Sequence, residues 1–326
     1  MPRFMDKPTH RGNGSCNVCD VVTNLSWQQR SLDPCIFIKR NGDIPVAVLG
    51  IHVDDVRQQS WNQDVIITKV TLSQFGSLEW MAGATRPDIA ADVSLLQKSM
   101  DELKHQGLIE AKAVLKYVKA TASSFIVMKP VDTEKMVIVT FGDAAFANAP
   151  SNKSQGGYVT VACTEDSLQG EGDASLLDWK SYWHQRVLRS TLAAEAASLD
   201  RAEDGANFVS AFTGELFLPG YVASRSGKSL FPIWPVTHAR SLYDAIHRLA
   251  TSFAEKRVEI DIAALRQCCR SLRWVPTEVM LADGFTKRSR ALRDKLRRWQ
   301  EDPKISLTEA RDAHDEDVQG PWRSQA

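Results

Sequence analysis

The stretch from residue 136 to residue 164, MVIVTFGDAAFANAPSNKSQGGYVTVACT, carries the pattern that decides the fold. Its first half is an apolar, β-branched run that ends near Phe141, and a second such run follows a Gly-Gly pair. Runs of this composition bounded by Pro, Asn and Gly are typical of β-strands. The stretch therefore predicts two strands, 136–148 and 155–164, with a carboxylate, Asp143, inside the first one.

The segments that follow add a third strand, a long helix and then alternating strands and helices. ASLLDWKS predicts a short strand after a loop at 170–173, and RSTLAAEAASLDRAEDGANFVSAFTGEL predicts the long helix. LFPIWPVT and LRWVP predict two more strands, RSLYDAIHRLA and DIAALRQCCRS predict helices, and TEVMLADGFTK predicts the start of the last helix. This order is typical of an α/β fold with a mixed five-stranded sheet and helices packed on it.

Composition limits the class of protein. The 326 residues are 43% hydrophobic, enough for a sizeable core, and 40 basic residues balance 40 acidic ones. No apolar run approaches the roughly 20 residues of a membrane helix, and no signal-peptide core opens the chain. We therefore expect an intracellular protein, in the cytoplasm or the nucleus, without membrane contact.

The cysteines and glycines predict no cofactor site. Six cysteines in a chain of this length are typical of reduced thiols. Cys16 and Cys19 form a C-x-x-C pair, but no second pair follows at zinc-site spacing, so a metal site is not predicted there. The chain has no Gly-rich phosphate loop, and we expect no small-molecule organic cofactor.

Charge is uneven near the carboxyl end. Residues 284–300 hold seven basic residues and one acidic residue, whereas residues 301–317 hold seven acidic and two basic ones. A basic helix with an acidic tail suits contact with a polyanion, and it equally suits a surface helix before a frayed terminus.

Three acids occupy unusual places in this pattern. Asp143 lies in an apolar strand, Glu195 lies among alanines on the long helix, and Asp283 lies in the last helical motif. Carboxylates that converge repel one another unless cations neutralise them, and hard oxygen ligands select Mg²⁺ or Mn²⁺. Two such ions about 3.5–4 Å apart form the clamp used for in-line attack on a phosphodiester.

The motifs resemble a known family. VTFGDAAFANAPSNKSQGGYVTVA, SLLDWKSYWHQRVLRSTLAAEAASL, VTHARSLYDAI, EKRVEIDIAALRQ and LRWVPTEVMLADGFTK together resemble the ribonuclease H domain of copia-type LTR-retrotransposon Pol polyproteins. LDPCIFIKRNGDIPVAVLGIHVDD and LSQFGSLEWMAGATRPDIAADVSLLQ are similar to the last part of that family's reverse transcriptase and its connection. The resemblance covers most of residues 31–290. It implies a ribonuclease H-like fold, two Mg²⁺ (or Mn²⁺) ions, and hydrolysis of RNA in RNA–DNA hybrids.

The resemblance also divides the chain. It implies a truncated reverse transcriptase palm remnant (1–70), a helical connection (71–130), the ribonuclease H-like domain (131–290) and a basic-then-acidic tail (291–326). HVDD at 52–55 is similar to the palm motif of the polymerase, but only 51 residues precede it, too few for the rest of a polymerase site. We therefore expect Asp54 and Asp55 to be a relic without reverse transcriptase activity.

The family's acidic site consists of Asp, Glu, Asp and Asp. Asp143, Glu195 and Asp283 match its first, second and fourth positions, but the third is His238, because a Thr-Asp pair of the family is Thr-His here. Asp244 lies about 9 Å further along a helix and cannot replace the lost acid. Because imidazole is a poor Mg²⁺ ligand, we expect weak or absent magnesium-dependent cleavage. The alternative is that His238 coordinates adequately and activity survives.

Basic residues could bind the phosphates of a hybrid. Lys180, Arg186 and Arg189 precede the helix that carries Glu195, and Lys287 follows the last acid. For each of them, an ordinary charged loop residue is the alternative. The alternative function for the whole chain is a non-catalytic, nucleic-acid-binding or pseudogene-like Pol remnant.

Overall fold

A computed structural model describes residues 28–29, 36–41, 44–50, 76–101, 105–218, 220–223, 230–248, 253 and 255–307 of the chain, the first three ranges as backbone alone. The chain divides into two compact units, Met1–Gln58 with Ala211–Lys228, and Gln59–Ser210 with Ser229–Ala326. The predicted relic acids Asp54 and Asp55 lie outside the described residues, as does the C-x-x-C pair.

The first unit contains a small antiparallel sheet. Its strands are β1 (Gln28–Gln29), β2 (Ile36–Asn41) and β3 (Ile44–Gly50), hydrogen-bonded in that order. β2 pairs with β3 from Ile36↔Gly50 to Asn41↔Ile44, with a bulge between Lys39 and Arg40. The sequence PCIFIKRNGDIPVAVLG, 34–50, has apolar runs on either side of Asn41-Gly42 and predicts a hairpin, which this pairing confirms.

The second unit begins with helices. Helix α1 covers 76–84, a 3-10 turn covers Pro87–Ile89, and α2 (Ala90–Asp101) and α3 (His105–Ala120) follow. The helical spacing of apolar residues in LSQFGSLEWMAGATRPDIAADVSLLQ predicts helices broken at Arg86-Pro87, and the break is present, since a residue before proline is disfavoured in the helical region. Arg86 is buried there and donates to both carboxylate oxygens of Asp88, at 2.8 and 2.7 Å.

A six-stranded mixed sheet forms the centre of the second unit. Its strands are β4 (Met136–Ala149), β5 (Lys153–Thr164), β6 (Glu171–Trp183), β7 (Ile233–Thr237), β8 (Arg273–Trp274) and β9 (Lys304–Ser306). The order is β8-β7-β4-β5-β6-β9; β4, β5 and β6 are antiparallel neighbours, and β7 and β8 run parallel to β4. The mixed sheet with packed helices is confirmed, but it has six strands where five were predicted, because β9 pairs with the edge of β6.

Helices connect these strands as predicted. α4 (Thr191–Phe217) follows β6, and α5 (Arg240–His247) and α6 (Lys256–Cys268) lie between β7 and β8. α4 approaches β4 closely because Gly142 has no side chain; a Cβ there would lie 3.1 Å from the Cα of Leu199. The spacing of the sequence predicts one apolar face of α4 that includes Ala196, Leu199 and Phe208. Ala196 and Leu199 are buried, but Phe208 is 51% exposed, so the prediction is wrong for Phe208.

Two local predictions are corrected. The loop predicted at 170–173 is wrong for its last three residues, which belong to β6 because they pair with β9. The last acid does not open a helix: it lies in a 3-10 turn, Leu281–Phe285, and α7 (Arg290–Glu301) begins later, capped by the Ser289 hydroxyl. The domain boundaries stay predictions, although α7 and β9 are regular structure inside the segment assigned to a tail.

The core follows from the sheet. Residues 136–144 of β4 are all buried, because helices cover both faces of this central strand. One apolar cluster joins Phe141 of β4 to α2, α3 and α7, and another joins α4, α5 and α6. Among the described residues, none of the helices combines the length and hydropathy that a membrane span requires.

Candidate functional site

The parallel register of β4 and β7 brings two of the predicted site residues together. Phe141 pairs with Val236, so the positions two residues further along, Asp143 and His238, become neighbours. Asp143 is fully buried. Asp244 points elsewhere, since Oδ1 forms an ion pair of 3.2 Å with Arg240, as expected for a residue that does not replace the lost acid.

Glu195 and Asp283 reach the same place from two other elements. Glu195 lies in the second turn of α4 and is 4% exposed, between the buried Ala194 and Ala196, whose small side chains let the helix approach. Asp283, also 4% exposed, is carried by the 3-10 turn after β8. That turn lies over Gly157, opposite Asp143, where a Cβ would come within 2.5 Å of the Cβ of Phe285.

The imidazole of His238 lies between two carboxyl groups. Its Nε2 is 2.8 Å from Oδ1 of Asp143 and 3.8 Å from Oε1 of Glu195. The distance between Nε2 and Asp143 Oδ1 is that of an ion pair, but the angles are not those of a hydrogen bond. Oδ1 of Asp143 therefore has no hydrogen-bond donor. One ligand atom each from Asp143, His238 and Asp283 lie within 4.8 Å of one another, so these three residues could hold a metal ion.

A second cation and a hydroxyl complete the cluster. The ammonium group of Lys287 contacts Oδ1 of Asp283, and the hydroxyl of Thr286 donates to Oδ2 of Asp143. Of the five charged groups, His238 and Lys287 are positive. Two of the three negative charges are therefore balanced by cationic side chains of the same chain.

The electrostatics follow from burial and these contacts. Burial alone would raise the pKa of Asp143, but His238, Lys287 and Thr286 outweigh it and hold that pKa below its ordinary value. Burial raises the pKa of Glu195 to about 7, although His238 opposes the rise. Burial also acts to lower the pKa of His238, yet the two carboxyl groups raise it to about 10. At neutral pH the cluster holds an imidazolium.

Two residues around the cluster were not predicted. The indole Nε1 of Trp274 in β8 donates to the carbonyl oxygen of His238 at 3.0 Å and fixes the backbone there. Thr286 shares the LADGFTK motif with Asp283, and that proximity was a usable signal. Trp274 had no local signal, because its partner is 36 residues away in the chain.

The four predicted phosphate-binding residues are not brought to one place by any contact among the described residues. Lys180 is exposed on β6 and lines an open groove of about 690 Å³, and Arg189 is exposed before α4. Arg186 forms an ion pair of 2.6 Å with Asp261 of α6. Lys287 lies at the acidic cluster itself.

No model of a protein family matches the chain, and no curated protein matches it.

Solved structures give matches to ribonuclease H domains. One is the N-terminal ribonuclease H domain of a Mycobacterium tuberculosis protein, solved as a maltose-binding-protein fusion (14% identity, 51% of this chain and 96% of that chain, TM-score 0.30). Another is ribonuclease H1 of Halobacterium salinarum (12% identity, 45% and 92%, TM-score 0.29). At TM-scores this low the likeness carries no argument about fold or activity.

Two further solved structures also match the chain. The LC11 ribonuclease H1, first isolated from compost, was crystallised in complex with an RNA/DNA hybrid (16% identity, 46% of this chain and 93% of that chain, TM-score 0.28). The prototype foamy virus protease-reverse transcriptase matches over 54% of this chain and 22% of its own (17% identity, TM-score 0.25).

Proposed function

We propose that residues 131–290 are the ribonuclease H-like domain of a copia-type Pol remnant, that this domain binds RNA–DNA hybrids, and that its magnesium-dependent cleavage is strongly impaired. The sequence motifs and the fold support the assignment. The remnant palm (1–70), the connection (71–130) and the tail (291–326) belong to the same proposal, as does the location inside the cell.

The donor set decides how a metal would fit. Asp143 Oδ1 and Glu195 Oε2 are buried without a hydrogen-bond partner, and unpaired carboxylate oxygens favour a cation at this place. However, one of the four ligand positions is an imidazole, and Lys287 already contacts Asp283. Two Mg²⁺ ions need several anionic oxygens, so these residues do not fit a magnesium pair. A single ion that accepts nitrogen, such as Mn²⁺, suits them better.

The observation that carries the proposal is the 2.8 Å contact between His238 Nε2 and Asp143 Oδ1. The imidazolium of His238 supplies the positive charge between Asp143 and Glu195. It holds the two carboxyl groups together without an added cation. A divalent ion would have to displace a charge that the chain itself supplies.

The rival function receives less support. A non-catalytic domain would bind nucleic acid through the basic segment 287–298, but several of its cations have intramolecular partners. Arg288 forms an ion pair of 2.6 Å with Glu110, and Arg293 one of 2.9 Å with Asp92. These pairs anchor α7 on α2 and α3 and reduce the charge available to phosphates.

The test is cleavage of a labelled RNA–DNA hybrid in Mg²⁺ or Mn²⁺. We expect the wild type to be slow in Mg²⁺ and His238→Asp to be about 100-fold faster, which corresponds to about 2.7 kcal/mol of transition-state stabilisation. His247→Asp is the matched control, because His247 is exposed at the end of α5 and contacts the Tyr243 carbonyl, not the acidic cluster. Wild-type cleavage in Mg²⁺ at the rate of His238→Asp would refute the proposed impairment.

Binding separates the two parts of the proposal. We expect the wild type to bind the hybrid with an affinity that falls as salt rises. Loss of cleavage with retained binding supports an impaired nuclease domain. Absence of both from the wild type and from His238→Asp would contradict the assignment to hybrids.

A further inference from the structure

Two adjacent cysteines lie at the carboxyl end of α6. The Sγ atoms of Cys268 and Cys269 are 3.7 Å apart. The other free cysteine of the described residues, Cys163, is buried in the separate apolar cluster around β4 and β5. The pair takes no part in the acidic cluster described above.

The two thiols differ in exposure. Cys268 is exposed, and its Sγ also contacts the carbonyl oxygen of Ala264 at 3.4 Å. Cys269 is 1% exposed in the cluster formed by α4, α5 and α6, and its backbone N–H donates to the Leu265 carbonyl at 2.8 Å. The buried sulfur is thus held in place, and the exposed one gives access from solvent.

The distance between the two sulfurs matches that of two thiolates bound to one metal ion. A disulfide needs the sulfurs about 2.05 Å apart, so oxidation would require a large shift at the end of the helix. Two sulfurs bound at about 2.3 Å to one tetrahedral ion lie about 3.8 Å apart. The observed 3.7 Å is close to that second value.

The surroundings favour a cation. The carboxylates of Asp200 and Glu203 on α4 interact electrostatically with both thiols. They make the electrostatic potential around the two sulfurs negative. The contact between the two sulfurs lowers the pKa of the Cys268 thiol and raises that of the Cys269 thiol.

We propose that Cys268 and Cys269 chelate a thiophilic divalent ion with a filled d shell, of the zinc and cadmium class. Binding forms two metal–sulfur bonds, and the two thiol protons pass to solvent. Soft thiolates select such ions, whereas the acidic cluster offers oxygen and nitrogen. The proposal is independent of the proposed nuclease ancestry.

The test is a Cd²⁺ titration of the full chain with a phosphine reductant under nitrogen. The background carries Cys16→Ser, Cys19→Ser and Cys35→Ser, so that the C-x-x-C pair cannot bind the ion. We expect one equivalent of Cd²⁺ to produce the ultraviolet cadmium–thiolate charge-transfer band. Because this band requires sulfur ligands, binding at the acidic cluster does not produce it.

Three variants assign the band. Cys268→Ser, at an exposed position, is expected to weaken Cd²⁺ binding about 100-fold. This is the upper end of the loss of affinity found when a residue that supports a metal ligand is replaced. Cys163→Ser is the matched control and is expected to leave the titration unchanged. Cys269→Ser, checked for folding by circular dichroism, should weaken binding as Cys268→Ser does. No band at one equivalent, or a band that Cys268→Ser leaves intact, overturns the proposal.

Discussion

Removing the imidazolium from the acidic cluster should destabilise the domain, and His238→Gln is the sharpest way to do it. Glutamine keeps a polar side chain of similar length but carries no charge. Asp143 is 0% exposed and Glu195 is 4% exposed. Both carboxyl groups would then be buried without the His238 imidazolium, which lies 2.8 Å from the first and 3.8 Å from the second. Leaving one partner of a buried pair uncompensated is strongly destabilising.

The magnitude follows from the pKa of His238, which the carboxyl groups raise from 6.5 to about 10. A rise of this size corresponds to about 5 kcal/mol of interaction with the charged form. Solvent reaches the ring, whose side chain is 14% exposed, and screening reduces the effect. We therefore expect His238→Gln to lower the free energy of unfolding by about 2–4 kcal/mol at pH 7.

Urea unfolding followed by tryptophan fluorescence measures this loss. A raised histidine pKa gives stability that is complete below pH 6.5 and disappears as pH rises through about 10. The difference between wild type and His238→Gln should therefore shrink steadily from pH 7 to pH 10. A difference below about 0.5 kcal/mol at pH 7, or one that does not change with pH, would refute the internal-cation reasoning.

Three other outcomes are expected. Thr286→Val removes the hydroxyl that donates to Asp143, and should lower the free energy of unfolding by about 1–3 kcal/mol in a urea titration. Gly157→Ala places a Cβ 2.5 Å from the Cβ of Phe285, and should cost about 1–3 kcal/mol and lower the melting temperature. Burial lowers the pKa of His184 to about 4, so stability should fall as pH drops from 6.5 towards 4. His184→Gln should remove up to about 3 kcal/mol of that acid dependence.

Matched controls keep these outcomes specific. Thr286→Ser keeps the hydroxyl and should retain most of the stability. Gly83→Ala, in helix α1 with nothing within 4 Å of the added Cβ, should be neutral or stabilise by up to about 1 kcal/mol. His247→Gln should leave the dependence on acid unchanged. Equal losses in a variant and its control would contradict the stated contact in each case.

Much of the fold could be predicted because its signals are local. Apolar runs and Gly-Pro-Asn breaks located β4, β5, β7 and β8, and helical spacing located α4, α5 and α6. β9 was missed because three residues of strand carry almost no pattern; only pairing with β6 defines them. The 3-10 turn around Asp283 was read as a helix start, since its apolar spacing does not distinguish the two.

The sequence by itself determined which residues are available: three acids in apolar surroundings, a histidine where the resembling family has an aspartate, and a cluster of basic residues near the end. Only the tertiary structure decided their partners. It placed His238 between Asp143 and Glu195, and it gave Lys287 to Asp283. Charge interactions depend on distance and burial, and both are set by strand register and helix packing between segments far apart in the chain.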